Sequence, residues 1–179
     1  MQLETERLVL RVPRLEDAEA MLALYSDPEA MRFIGGVQSE IVADPEHIIG
    51  VWLERWAANG FGQLVAERRE DGAVVGRIGL VVWDTRSWEL STLPEAGEHG
   101  QPELGWALAR AYWGHGYATE GGLVARDWAQ QEVGIDRLIS VIAPENARSQ
   151  RVAEKLGAVP GETVELASSG PAVLWEYVR

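Results

Sequence analysis

The stretch "AYWGHGYATEGG", Ala111 to Gly122, sets a Gly-His-Gly turn directly before a Tyr-Ala-Thr-Glu segment and a Gly-Gly pair. The preceding "QPELGWALA", Gln101 to Ala109, reads as a strand. The following "ATEGGLVARDWAQQEVG" reads as a helix that starts near Tyr117 to Thr119. A strand that runs through Gly-x-Gly into a helix leaves unpaired N–H groups at the positive end of the helix dipole. Such a place suits a pyrophosphate. A glycine turn without a ligand has the same appearance, so the loop by itself leaves both readings open. Two nucleotide folds fail on context. A P-loop closes its glycine run with Lys-Ser/Thr, and Ala118-Thr119 stand here instead. A dinucleotide fingerprint needs a third glycine at a spacing that Gly114-His115-Gly116 does not continue.

Outward from the loop, hydrophobic periodicity orders the chain. "RLVLRV" alternates as a half-buried strand that Pro13 stops. Ala18, Met21, Leu22 and Tyr25 form one helical face, with Glu16 and Asp17 in a favourable first turn. "SDPEAMRFIGG" breaks that helix and carries a short helical turn between Pro28 and Gly35. In "DPEHIIGVWLERWAANG", Asp44 caps a second helix with the stripe Ile49, Trp52, Leu53, Trp56, and Asn59-Gly60 ends it. "FGQLVAERR" and "AVVGRIGLVVWD" form a hairpin in which Asp71-Gly72 supplies positive φ angles. "TRSWELSTLPEAGEHG" reads as a long polar loop. Past the glycine loop come the buried strand "DRLISVIA", the helix "PENARSQRVAEKLGA" and a final hairpin of "ETVELA" with "AVLWEYVR". Strands joined by hairpins run antiparallel, and the crossover from Glu103 to Ala143 is parallel. The expected fold class is α+β: one domain over residues 1–179, with a mixed, mostly antiparallel sheet and helices on both faces.

Composition narrows the function. The chain of 179 residues has no cysteine, which removes disulfides, a Cys nucleophile and Cys-ligated zinc. His47, His99 and His115 stand too far apart for a ligand motif, so no metal is expected. A net charge of -12 opposes nucleic-acid binding. Residues 1–102 hold 9 Arg against 18 acids, and residues 103–179 hold 7 bases against 10 acids. The half with the glycine loop is therefore the less acidic one, as an anionic ligand prefers. No signal core and no membrane-length apolar run is present, so a cytoplasmic location is expected.

Downstream, Asn146 leads a helix with Ser149, Val152, Ala153 and Leu156 on one face and Arg148, Arg151 and Lys155 on another. Alone, Asn146 is an N-cap, Ser149 a hydroxyl bonded to its own helix, and the basic stripe a solvated face. Together with the loop, "LETERLVLRVPRLEDAEAM", "SDPEAMRFIGG", "PELGWALARAYWGHGYATEG" and "NARSQRVAEKLGA" resemble the GNAT superfamily of N-acetyltransferases, in its ribosomal-protein N-terminal acetyltransferase branch. That resemblance implies acetyl-CoA as co-substrate and a primary amine, on a protein N-terminus or a small molecule, as acceptor. Its implied cofactor contacts are Trp113, Gly114, His115, Gly116, Tyr117, Ala118 and Thr119 at the pyrophosphate, and Trp106, Ala107, Leu108, Asn146 and Ser149 along the pantetheine arm. Trp113 stands where the family usually has Gln or Arg.

The resemblance further implies direct attack by the amine, with the Leu108 N–H as oxyanion donor. The family's tyrosine acid matches Ala153 here, which leaves Ser149 as acid or as a positioning group. Glu103 is the expected base, set against a purely structural carboxylate, with Glu162, Glu165 and His99 as alternatives. The missing tyrosine also keeps open a catalytically silent coenzyme A sensor. Homodimers are frequent in the family, and the sequence leaves the oligomeric state open. Of the eight Trp, the stripe residues Trp52, Trp56 and Trp128 are expected in the core, and Trp83, Trp88 and Trp106 near the cleft mouth.

Overall fold

A computed structural model describes residues 1–34, 44–166 and 169–177. Its strands are β1 (Gln2–Glu4), β2 (Leu8–Arg11), β3 (Gln63–Arg68), β4 (Val74–Asp84), β5 (Glu89–Ser91), β6 (Gly100–Leu108), β7 (Leu138–Ile142), β8 (Ala158–Leu166) and β9 (Gly170–Tyr177). The α-helices are α1 (Ala18–Tyr25), α2 (Pro45–Asn59), α3 (Leu93–Ala96), α4 (Tyr117–Gln131) and α5 (Ala147–Lys155). The sheet runs β1-β2-β3-β4-β6-β7-β9-β8, with β5 paired to β4. Every pairing is antiparallel except β6 with β7. This is the expected α+β arrangement, and no helix among the described residues is long and apolar enough to cross a membrane.

Two apolar layers flank the sheet. Leu8, Leu10, Leu64, Ile78, Leu80, Leu104 and Leu108 face Ala125, Trp128, Ala129 and Leu156 of the α4–α5 side. On the other face Met21, Leu24, Tyr25, Ile48, Ile49 and Trp52 of α1 and α2 pack with Ala107. Alternation of Leu8 and Leu10 on β2, and of Ile78, Leu80 and Val82 on β4, produces this division directly. In α4, Gly121 lets the helix lie on the sheet, since a Cβ there would meet Ile78 Cδ1 at 2.5 Å. Gly122 serves a different neighbour: its Cβ would meet Cδ1 of Leu156, the residue that caps α5, at 2.8 Å.

Several local readings are corrected. The chain opens with two strands, because β1 is a three-residue edge strand, too short to show a period. Leu15–Asp17 form a 3-10 turn before α1, so Glu16 and Asp17 are not in its first α-helical turn. Asp17 instead is buried, accepts from the Arg14 N–H and forms a two-pronged pair with Arg11. Burial opposes its charge, but Arg11 and the Arg14 N–H outweigh this and hold its carboxyl below the usual range. Leu24 replaces Leu22 in the buried stripe of α1. In the β3–β4 turn only Gly72 has positive φ, at 72°, while Asp71 accepts from Arg68 and the Ala73 N–H. The long polar loop contains β5 and α3, each held by pairing or packing at its ends rather than by internal periodicity.

Asp44 caps α2 by accepting from the His47 N–H, and Gly60 closes it at φ 75°, as expected. The expected turn after α1 lies within the described residues up to Ile34, and Gly35 lies outside them.

Candidate active site

β6 and β7 meet at a single register, Glu103 opposite Ile139. Beyond it, Gly105–Leu108 have no β7 partner among the described residues. The direction of their backbone groups follows from β4. Ala109 N–H donates to the Val75 carbonyl at 3.0 Å, and Ala107 is registered with Arg77. Backbone groups alternate along a strand, so the N–H groups of Trp106 and Leu108 face the gap toward β7. Two carbonyls on that side are covered by side chains: Ser140 Oγ donates to Leu104 O, and Trp113 Nε1 donates to Leu108 O at 2.7 Å. The gap is a strand-shaped slot with free backbone donors, and it fits an extended chain that carries amides.

The slot opens at the quoted loop. Gly114 and Gly116 adopt φ 79° and 83°, a left-handed conformation that suits glycine. Gly116 caps α4 without any side-chain bond, and the first helical bond is Glu120 N–H to Gly116 O at 3.0 Å. The N–H groups of Tyr117, Ala118 and Thr119 therefore donate to no group among the described residues. With Gly114, His115 and Gly116 exposed, the site fits an anion approaching from solvent. The His115 ring stacks on Tyr117 at 5.8 Å.

Two arginines lie against this loop: Arg7, which periodicity did not single out, and Arg148, which it placed on a solvated basic stripe. Arg7 donates to the His115 carbonyl at 2.9 Å and to Glu120, whose carboxylate also accepts from Thr5 and the Arg7 N–H. Burial disfavours the Glu120 charge, but Thr5 and Arg7 prevail and keep its carboxyl below the usual range. Arg148 of α5 lies over the Trp113 ring at 4.4 Å, so Trp113 retains a cation beside it. In the sequence Arg7 is an ordinary outward residue of an alternating strand. Only its long-range partner distinguishes it.

Asn146 is an N-cap: its Oδ1 accepts from the Ser149 N–H at 3.2 Å. Ser149 is half-buried, and its hydroxyl makes no hydrogen bond among the described residues, so the expected back-bond to the helix is absent. Ala153 is fully buried beneath α5.

Glu103 lies on the α1–α2 face at the point where β6 and β7 part. It is 9% exposed, and its carboxylate accepts from Trp83 Nε1 and from the Val141 N–H at 3.1 Å. Burial pushes its carboxyl above the usual range, against these two donors and the Arg77 charge. A buried carboxylate poised toward neutrality can take and return a proton. The alternatives lie elsewhere: Glu162 and Glu165 are exposed on β8, which β9 separates from β7, and His99 is half-buried beside Glu98. The Trp83 and Trp88 rings meet at a tilt, centroids 6.4 Å apart, with Trp88 at φ 54°, and Trp106 is half-buried beside the slot.

Known proteins share this architecture. The uncharacterized N-acetyltransferase p20 of Bacillus licheniformis is 29% identical over 157 residues, covering 86% of this chain and 80% of its own. The acetyltransferase of Agrobacterium tumefaciens strain C58 superposes with a TM-score of 0.79 at 27% identity, over 100% of this chain and 95% of that one. At 10% identity, the RimL ribosomal L7/L12 alpha-N-protein acetyltransferase, solved in complex with coenzyme A, has a TM-score of 0.77 over 99% and 98% of the two chains, a likeness of fold alone. Residues 7–159 match the family model of the acetyltransferase (GNAT) domain, and the chain belongs to that family.

Proposed function

We propose that this protein transfers an acetyl group from acetyl-CoA to a primary amine, on a protein N-terminus or a small molecule. The observation that supports this most is the parting of β6 from β7 beside the uncapped start of α4. Acetyl-CoA supplies the acetyl group as a reactive thioester, and its amide arm and pyrophosphate match the slot and the loop. Trp106, Ala107 and Leu108 pair with the arm as an added strand, with Asn146 and Ser149 along its other side. Trp113, Gly114, His115, Gly116, Tyr117, Ala118 and Thr119 surround the pyrophosphate, chiefly through backbone N–H groups. The Leu108 N–H, fixed by the β4 register, holds the acetyl oxygen as it gains negative charge. Glu103 takes the proton that the attacking ammonium must lose, directly or through one water. Ser149 is the hydroxyl nearest in role to the family's missing tyrosine, and its unbonded Oγ is available to position or protonate the leaving sulfur.

Coenzyme A binding by calorimetry tests the loop. Gly116→Glu is expected to abolish it, because a carboxylate then stands beside the pyrophosphate. The left-handed backbone adds about 1–2 kcal/mol of destabilisation, so thermal melting accompanies the titration. Unchanged affinity in folded Gly116→Glu sinks the assignment. Ala153 in place of a tyrosine supports a second reading, a coenzyme A sensor without turnover. Thiol release from acetyl-CoA over a panel of amines separates the two.

A further inference from the structure

The acceptor side of Glu103 contains a cation with no acid in contact. Arg77 of β4 donates Nε to Tyr25 Oη and Nη1 to Gln63 Oε1 at 3.2 Å. Both partners are neutral and buried, at 4% and 5% exposure. They fix two edges of a half-buried guanidinium and leave Nη2 without a partner among the described residues. Arg7, Arg11 and Arg68 each hold a carboxylate directly, whereas Arg77 does not. Arg77 meets the Glu103 charge only at longer range, so among the described residues no carboxylate takes the direct-contact position on its guanidinium.

Between Arg77 and Glu103 lies bare backbone. A Cβ on Gly105 would sit 3.6 Å from Glu103 Oε1 and 3.8 Å from Arg77 Nη1, at ordinary contact distance, with no other heavy atom nearer than these. Gly105 is partly open to solvent, and its φ is not positive, so the backbone does not require glycine there. What the missing side chain provides is space. A carboxylate and a guanidinium both border the open space over Gly105.

We infer that the acceptor is a small zwitterion, an α-amino acid, whose ammonium lies against Glu103 and whose carboxylate is taken by Arg77. This rests on the acetyl-transfer reading above and names its substrate class. In an α-amino acid the two charged groups hang from one carbon, which matches the single gap over Gly105. A protein N-terminus carries an amide there and offers Arg77 no charge. Arg77 is thus a specificity residue that leaves the proton transfer to Glu103.

The test compares α-amino acids with their amides, their decarboxylated amines and short peptides with free N-termini, using thiol release from acetyl-CoA. The wild type is expected to favour at least one amino acid over its amide and amine by roughly tenfold or more in kcat/KM, the worth of a charge-assisted hydrogen bond. Arg77→Gln is expected to erase that preference by raising the amino-acid KM to that of the amide, whatever the loss of its charge beside Glu103 does to kcat on all amines alike. Gly105→Ala, which adds a methyl to the gap without backbone strain, is expected to raise the amino-acid KM with the fold intact by circular dichroism. Equal or better turnover of amides or peptides by the wild type overturns the inference, as does a preference that survives Arg77→Gln. If no amine is turned over, the acetyl-transfer reading fails. Calorimetry of amino acids against the protein–coenzyme A complex then decides this one: binding that Arg77→Gln removes supports it, and no binding overturns it.

Discussion

Glu103 stands under two opposing demands. Its donors from Trp83 and Val141 favour the carboxylate, while burial favours the acid and wins. For a group whose folded pKa is raised, the folded state holds the proton longer than the unfolded chain. The stabilising contribution is complete below the ordinary value of 4.5 and is lost as pH rises through the folded pKa. As a general base Glu103 works only when deprotonated, so kcat/KM is expected to rise with pH on a limb whose midpoint lies above 4.5. Glu103→Gln is expected to lower kcat by about 10²–10⁴-fold and to remove that limb. A pH–rate profile on both proteins checks this. A purely structural carboxylate would instead leave kcat and the limb intact and lower only the melting temperature.

Among the helices, two glycines of equal propensity cost have opposite neighbours. Gly50, inside α2, would present a Cβ to nothing within 4 Å. Gly50→Ala is therefore expected to stabilise the protein by about 0.8–1 kcal/mol, the helix-propensity difference alone. Gly121 in α4 meets Ile78, Leu8 and Leu10 of the sheet. Gly121→Leu is expected to destabilise by about 1–3 kcal/mol, because the helix must lift from β2 and β4. It should also weaken coenzyme A binding, since α4 begins at the glycine loop. Denaturant midpoints of the two variants, moving in opposite directions, check the pair. Equal shifts would mean that α4 does not depend on close approach.

In the whole molecule, the sheet has two parts, β1 to β6 and β7-β9-β8, joined across one backbone register and a few side chains. Ser140 is the central tie. Its hydroxyl donates to Leu104 O of β6 and shares a 2.7 Å bond with Tyr177 Oη of β9. Burial is the main reason the Tyr177 hydroxyl is raised above its usual value and stays neutral. Ser140→Ala leaves a buried carbonyl and a buried phenol without this partner, and is expected to cost about 1–3 kcal/mol. Hydrogen exchange should quicken first in β7 and β9, with β3 and β4 protected as before. Uniform quickening would show that the sheet does not yield at this join.

The amino-acid sequence determined what short-range periodicity can carry. The strands around Leu8, Ile78 and Leu104 and the helices at Ala18, Pro45, Tyr117 and Ala147 follow from alternation, 3.6-residue stripes and caps such as Asp44 and Asn146. So did the glycine loop, because Gly114 and Gly116 mark positive φ locally. Three-residue strands such as β1 and β5 were illegible, since they exist only through their partners. Which groups face each other was illegible for the same reason. Arg7 against Glu120, Ser140 across to Leu104 and Arg77 and Glu103 about Gly105 join residues far apart in the chain. Their proximity is set by strand register, and register depends on packing of whole faces, which no local window contains.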